Sequence, residues 1–223
     1  MKPLKPHFRP QSPLQLEHVI APNGRSVAEN FKAWFRDSKV VDAAGHPLVL
    51  YHGTTQDFTA FDKKCIGDNF RADEAGFFFT SDPKSASDYA ENDTVGLNKR
   101  LECHVMPVYV ALQRPLIVDD AFLRSEGMER LGVTEDTISF WDVYQSLILE
   151  WASDRRADGV ILVDNSYRPT GEPTRLVVAF EPHQVKSALG NSGLYAPLSA
   201  SLHDLQVGPG LVATARRRRA INP

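Results

Sequence analysis

Cysteine is nearly missing from this chain. Among its 223 residues only Cys65 and Cys103 carry a thiol, far apart and outside any CxxC pair. That excludes a disulfide scaffold and a cysteine-rich zinc site, and it fits a reducing compartment such as the cytoplasm. Long apolar runs are missing too: none approaches the roughly 18 residues that cross a bilayer, so no membrane partner is expected. The basic opening, residues 1–13, lacks the apolar segment of a secretory signal. Charge of one sign is also scarce. Against 28 Asp and Glu stand 25 Lys and Arg, a net −3, so no global field draws the chain to nucleic acid or anionic lipid. No GxSxG elbow, no Cys–His nucleophile arrangement and no histidines at metal-ligand spacing occur, so no metal is expected.

What is present is ordinary for one globular domain with tails: 42% hydrophobic and 24% charged residues. Residues 1–24, rich in proline and polar groups, read as a tail or extended arm, and 25–197 as the domain. From about Leu198 periodicity fades, and 198–223 read as a tail ending in Arg216, Arg217, Arg218 and Arg219. That basic run suits a solvated tail, or a contact with nucleic acid or a partner. Within the domain, Ser26 and Glu29 form a capping box ahead of Val27, Phe31, Trp34 and Phe35, which predicts a helix over about Ser26–Ser38. Strands are predicted at Pro47–His52, Gly76–Thr80, Val105–Leu112, Pro115–Val118, Gly159–Val163 and Leu176–Glu181, with Pro107 pushing the third toward a sheet edge or bulge. Further helices are predicted at Pro83–Glu91, Ala121–Leu131 and Thr137–Arg155, the last with an apolar stripe of Phe140, Val143, Tyr144, Leu147 and Trp151. Clustered rather than alternating helices predict an α+β fold, mainly antiparallel, and argue against a doubly wound parallel sheet. Gly208-Pro209-Gly210 through Ala213 fits GxGxxA in letters only, because no strand–helix unit surrounds it.

The chemistry concentrates in Tyr51-His52-Gly53-Thr54 at a strand end, followed by Gly76-Phe77-Phe78-Phe79-Thr80 and then Tyr89. A glycine there lets a ligand approach the backbone N–H and C=O, which together match one carboxamide. Phe78 on a strand and Tyr89 on the next helix can sandwich a flat ring. If that ring is the cationic nicotinamide of NAD⁺, aromatic faces add roughly 0.5–2 kcal/mol. His52 then falls near the ribose. An isolated histidine or aromatic of this kind would read as core; the grouping is what points to a site.

These residues carry a resemblance. YHGT at 51–54, with the spacing from Gly76 through Phe78 to Tyr89, resembles the diphtheria-toxin and poly(ADP-ribose) polymerase branch of ADP-ribosyltransferases. The stretches FKAWFRDSKVVDAAGHPLVLYHGT and VVAFEPHQVKSALGNSG are similar to transferase domains of phage and mobile-element polyvalent proteins. The resemblance implies a split core of two packed, mainly antiparallel sheets with edge helices, and NAD as substrate without metal. It implies binding by Tyr51, His52, Gly53, Thr54, Phe78, Phe79, Ser85 and Tyr89, and ADP-ribosyl transfer to a macromolecular acceptor, protein rather than RNA. The chain would then be a phage or bacterial effector or toxin, working in the cytoplasm of its own or a recipient cell. His52 and Tyr89 would be catalytic.

The family's third element, a late-strand glutamate that stabilises the oxocarbenium-like transition state, aligns with Leu176. Glu181 is the candidate replacement, with Glu172 and Gln184 also near; Glu181 reads equally as a strand-end surface carboxylate and Gln184 as a turn residue. A catalytically silent NAD or ADP-ribose binder is the first rival. An RNA 2′-phosphotransferase-like enzyme is the second, needing basic residues from among Arg168, Arg175 and Lys186.

Overall fold

The computed structural model describes residues 11–66, 76–92, 103–132, 148–164 and 173–205. Phe140, Val143, Tyr144, Leu147, Arg168, Glu172, the 208–213 glycine motif and Arg216–Arg219 lie outside them.

Helix α1 (Val27–Phe35) starts as its capping box requires. Ser26 Oγ accepts from Glu29 N at 3.1 Å, and Glu29 Oε2 accepts from Ser26 N at 2.8 Å. It buries Phe31, Trp34 and Phe35, with the Phe31 ring edge-on to Tyr109 and Tyr195 at 5.1 and 5.0 Å. Fully buried side chains of this size contribute about 1.5–3 kcal/mol each, so this stripe anchors the helix. Helix α2 (Pro83–Asn92) has Asp82 as its cap, accepting from Lys84 N and Ser85 N, both at 3.1 Å.

The described residues form seven strands, β1 (Leu50–Thr54), β2 (Phe77–Thr80), β3 (His104–Val110), β4 (Leu116–Val118), β5 (Gly159–Asp164), β6 (Thr174–Ala179) and β7 (Val185–Ser187). Their order is β4-β5-β6-β2-β1-β3-β7, and every pairing is antiparallel except β4 with β5. The α+β, mainly antiparallel expectation is met. The split takes the form of two halves of one sheet, β4-β5-β6-β2 and β1-β3-β7, joined at the single pair Tyr51↔Thr80. Both halves turn side chains into one core: Phe77, Phe79, Val177 and Ala179 from the first, Leu50, Val108, Val110 and Val185 from the second. The outer face of the first half packs Leu116, Val118, Val160, Leu162 and Val178 on Trp151. That outer layer includes α3 (Asp120–Phe122), a π turn (Leu123–Gly127), α4 (Met128–Leu131) and α5 (Ile148–Asp154).

Several expectations shift. The helix read as Ala121–Leu131 is interrupted by the π turn, and only Ile148–Asp154 of Thr137–Arg155 is described as helix. Among the described residues the strands number seven rather than the six predicted, because β7 is three residues long, too short to show periodicity. Pro107 sits in an interior strand, yet its position is locally an edge. Its carbonyl accepts from Ala188 N at 2.9 Å on the β7 side, just past the last β7 partner, Val108↔Ser187. The missing N–H therefore lies on the β7 side and takes no bond from the β1–β3 ladder. Segment 198–205, expected as the start of a tail, belongs to the packed body. Leu202 is fully buried, and its N–H donates to Thr59 O and its carbonyl accepts from Ser187 N, both at 2.9 Å. Within the expected N-terminal tail, Pro13 and Ala21 are buried, and Leu14 and Leu16 pack on the α1 cluster.

Candidate active site

The candidate residues gather around the joint between the halves. β1 and β2 pair at Tyr51↔Thr80 and diverge beyond it, so among the described residues positions 52–54 pair with β3 alone. The His52 ring bridges the gap, its Nδ1 2.8 Å from the Phe78 carbonyl oxygen. A carbonyl only accepts, so Nδ1 carries the hydrogen and Nε2 is the acceptor nitrogen of the neutral ring. Burial lowers the His52 pKa below 6.5, outweighing the opposing pull of the Phe78 carbonyl. The ring is held by aromatic contacts with Phe61 at 5.0 Å, Phe79 at 5.6 Å and Phe58 at 6.1 Å. Phe58 and Phe61 were not singled out by sequence; two aromatics three apart in a polar stretch were the available signal.

Gly53 plays two parts. Residue 107 points its polar groups toward β7, so in the antiparallel alternation its partner Tyr51, and Gly53 two residues on, turn theirs away from β3 toward the joint. The Gly53 N–H and C=O thus face the gap that β2 leaves. On its other side the residue touches α2: a Cβ would overlap the Ala86 carbonyl oxygen and lie 2.8 Å from the Ala86 carbonyl carbon and 3.1 Å from Ala90 N. Buried Ala86 and Ala90 are the helix residues that permit this approach.

Alternation sorts the remaining predicted residues. Tyr51, Gly53, Phe78 and Thr80 share the outer face, since Tyr51 and Thr80 are cross-strand partners. Phe78 is half-buried there against the outer-face cluster. Phe79 points oppositely and is buried in the inner core, so its contribution is to pack the His52 ring rather than to meet a ligand. Tyr89, on the same helix as Ala86, is 44% exposed. Thr54 is half-buried and its Oγ1 accepts from Gln56 N at 3.1 Å. The Ser85 hydroxyl donates to Asp82 Oδ2 at 2.7 Å, inside the α2 cap.

At the third position, Leu176 stands opposite Thr80 on the neighbouring strand, half-buried on the same face as Phe78. A side chain there is directed to the Phe78 side of the sheet. Glu181 lies past the end of β6 and pairs with Lys63. Gln184 is buried and committed: its Oε1 accepts from Phe180 N and Glu181 N, and its Nε2 donates to Asp158 O. Arg175 donates to Val41 O. Lys186 is fully buried against Asp204, Nζ to Oδ1 at 2.7 Å, which removes it from any cleft. Among the described residues there is no group of three or more His, Cys, Asp or Glu able to hold a metal ion, and no helix long and apolar enough to cross a membrane.

No curated protein and no solved structure matches the chain. The family model for the ADP-ribosyltransferase in polyvalent proteins matches residues 42–195, well over half of the chain and the whole stretch from the turn before β1 to the segment after β7, and the chain belongs to that family.

Proposed function

We propose that the chain is an NAD-dependent mono-ADP-ribosyltransferase that breaks the nicotinamide–ribose bond and transfers ADP-ribose to a macromolecular acceptor. The observation that carries this reading is the diverging joint, where the His52 ring spans from β1 to the Phe78 carbonyl and the Gly53 backbone faces the gap. In this reading the Gly53 N–H and C=O hold the nicotinamide carboxamide, Phe78 and Tyr89 flank its ring, and Tyr51 and Thr54 line the approach. His52 Nε2 accepts from a ribose hydroxyl. The C1′–N1 bond breaks with its electron pair going to nicotinamide, which leaves neutral. A lone pair of the acceptor attacks C1′, and the acceptor's proton passes to solvent. Aromatic faces and oriented backbone groups do this work without a metal.

Leu176 favours a second reading, a silent NAD or ADP-ribose binder, because a leucine cannot stabilise the developing cation. Glu181 would supply a carboxylate only by releasing Lys63. The RNA phosphotransferase alternative loses support with Lys186 buried. A protein acceptor, an effector or toxin role in the cytoplasm of a producing or recipient cell, and a partner contact through Arg216–Arg219 complete the proposal. Its test is incubation of the purified chain with NAD⁺ labelled in the adenylate half, alone and with cell lysate. Released nicotinamide with label on protein supports transfer; label on RNA changes the acceptor; binding of NAD⁺ with no nicotinamide released in either arm establishes the silent module.

A further inference from the structure

The Lys186 ammonium is buried without any exposed surface. It donates to Ser199 O at 2.8 Å, Ser201 O at 2.9 Å and Asp204 Oδ1 at 2.7 Å. Three acceptors satisfy all three of its hydrogens, so it is held as a cation. Asp204 in turn accepts through Oδ2 from Ala196 N at 3.2 Å, and its carbonyl accepts from Ser192 Oγ at 2.8 Å. Asp204 sits at φ +47°, a left-handed conformation that surrounding contacts must enforce. Such a pair, buried at the cost of desolvating two charges, fixes a geometry more surely than it adds stability.

The geometry it fixes leads to His52. Segment 199–204 lies between β7 and the stretch after β1: Ser187 N donates to Leu202 O, Leu202 N donates to Thr59 O, and Ala60 bridges Ser201. Leu202 is fully buried in the same core cluster as Phe61 and Phe79. Phe58 and Phe61, flanking Thr59 and Ala60, stack edgewise at 4.9 Å and both meet the His52 ring. We propose that the Lys186–Asp204 pair is a positioning device for His52, acting through segment 199–204, which it holds against the 58–61 stretch whose rings set the imidazole. Asp204 and Leu202 both lie beyond residue 195, where the family match ends, so a transferase unit cut at that boundary loses the support of its histidine.

The catalytic consequence rests on the transferase reading; the effect on the ring does not. The test uses the full chain in two variants. Lys186→Met with Asp204→Asn removes both charges together and leaves no lone buried ion. Leu202→Ala leaves both charges in place and thins the core that Leu202 shares with Phe61 and Phe79; Leu202→Met, which refills the volume, is its rescue. Folding is checked by circular dichroism, and the His52 ring is read by its nitrogen signals in long-range ¹H–¹⁵N spectra. Wild type is expected to give one sharp tautomer with hydrogen on Nδ1. In whichever variants fold, the two ring nitrogens should average toward each other, kcat for nicotinamide release should fall about tenfold or more, and KM for NAD⁺ should stay within about twofold. Leu202→Met should restore both. Unchanged ring signals in either variant, once it is shown to fold, overturn the proposal. Wild type that releases no nicotinamide, yet shows the ring change in the variants, upholds the positioning and removes the transferase reading instead.

Discussion

Gly53→Ala is the most informative single substitution, because two backbones meet there. The added Cβ overlaps the Ala86 carbonyl oxygen and would sit 2.8 Å from the carbonyl carbon of Ala86. Ordinary carbon contacts are about 3.5–4.0 Å, so α2 must withdraw by on the order of 1 Å. The helix cannot yield cheaply, since Ala86 and Ala90 are buried against the sheet. Overpacking of this kind costs about 1–3 kcal/mol, which for a chain of this size lowers Tm by roughly 2–12 °C. Tyr89 moves with the helix, and a displacement of this order at a reacting site costs about 100-fold in rate. Thermal melting, calorimetric NAD⁺ binding and nicotinamide release measure the three effects separately. Adding Ala86→Gly should rescue none of them, because the overlap is with main chain rather than a methyl group. A Gly53→Ala protein that melts within about 1 °C of wild type would refute the close approach of α2 to β1.

Four further outcomes are expected. His52→Ala should remove most nicotinamide release with the fold intact; release within about twofold of wild type would displace the histidine from the site. Because burial holds the folded His52 below 6.5, turnover should fall off at a lower pH than the 6.5 at which an ordinary imidazole half-protonates. Below that value the unfolded chain binds the extra proton first, so stability is full above 6.5 and declines as pH drops toward the folded pKa, which melting across pH checks. Tyr89→Ala should weaken NAD⁺ binding by roughly 1–3 kcal/mol, the loss of one good aromatic stack, with an unchanged Kd in calorimetry counting against the sandwich. Leu176→Glu should raise NAD⁺ hydrolysis, as one such electrostatic contact can contribute roughly 3 kcal/mol to a barrier. A collapse of Tm in this variant, paired with lost activity in Glu181→Ala, would instead assign the carboxylate to Glu181.

The chain's local signals determined a good deal. Ser26 with Glu29, and Asp82 with Pro83, mark helix starts because the capping groups lie within three residues of what they cap. Tyr51–Thr54, Gly76–Thr80 and Tyr89 pointed to the family, and to a candidate site, because their order and spacing are chemical in themselves. Other features were decided by partners distant in sequence. Alternation says that Phe78 and Phe79 face opposite ways, but both faces of β2 are covered, so only the packing of β6 and the inner core tells which one looks outward. The joint at Tyr51↔Thr80 depends on where two strands diverge, which no run of residues encodes locally. β7 is a strand because β3 lies beside it, Gln184 is structural because Asp158 O is within reach, and segment 198–205 is part of the body because a lysine on β7 binds its carbonyls. Each is a long-range pairing of polar groups, and such pairings have no period for a sequence to display.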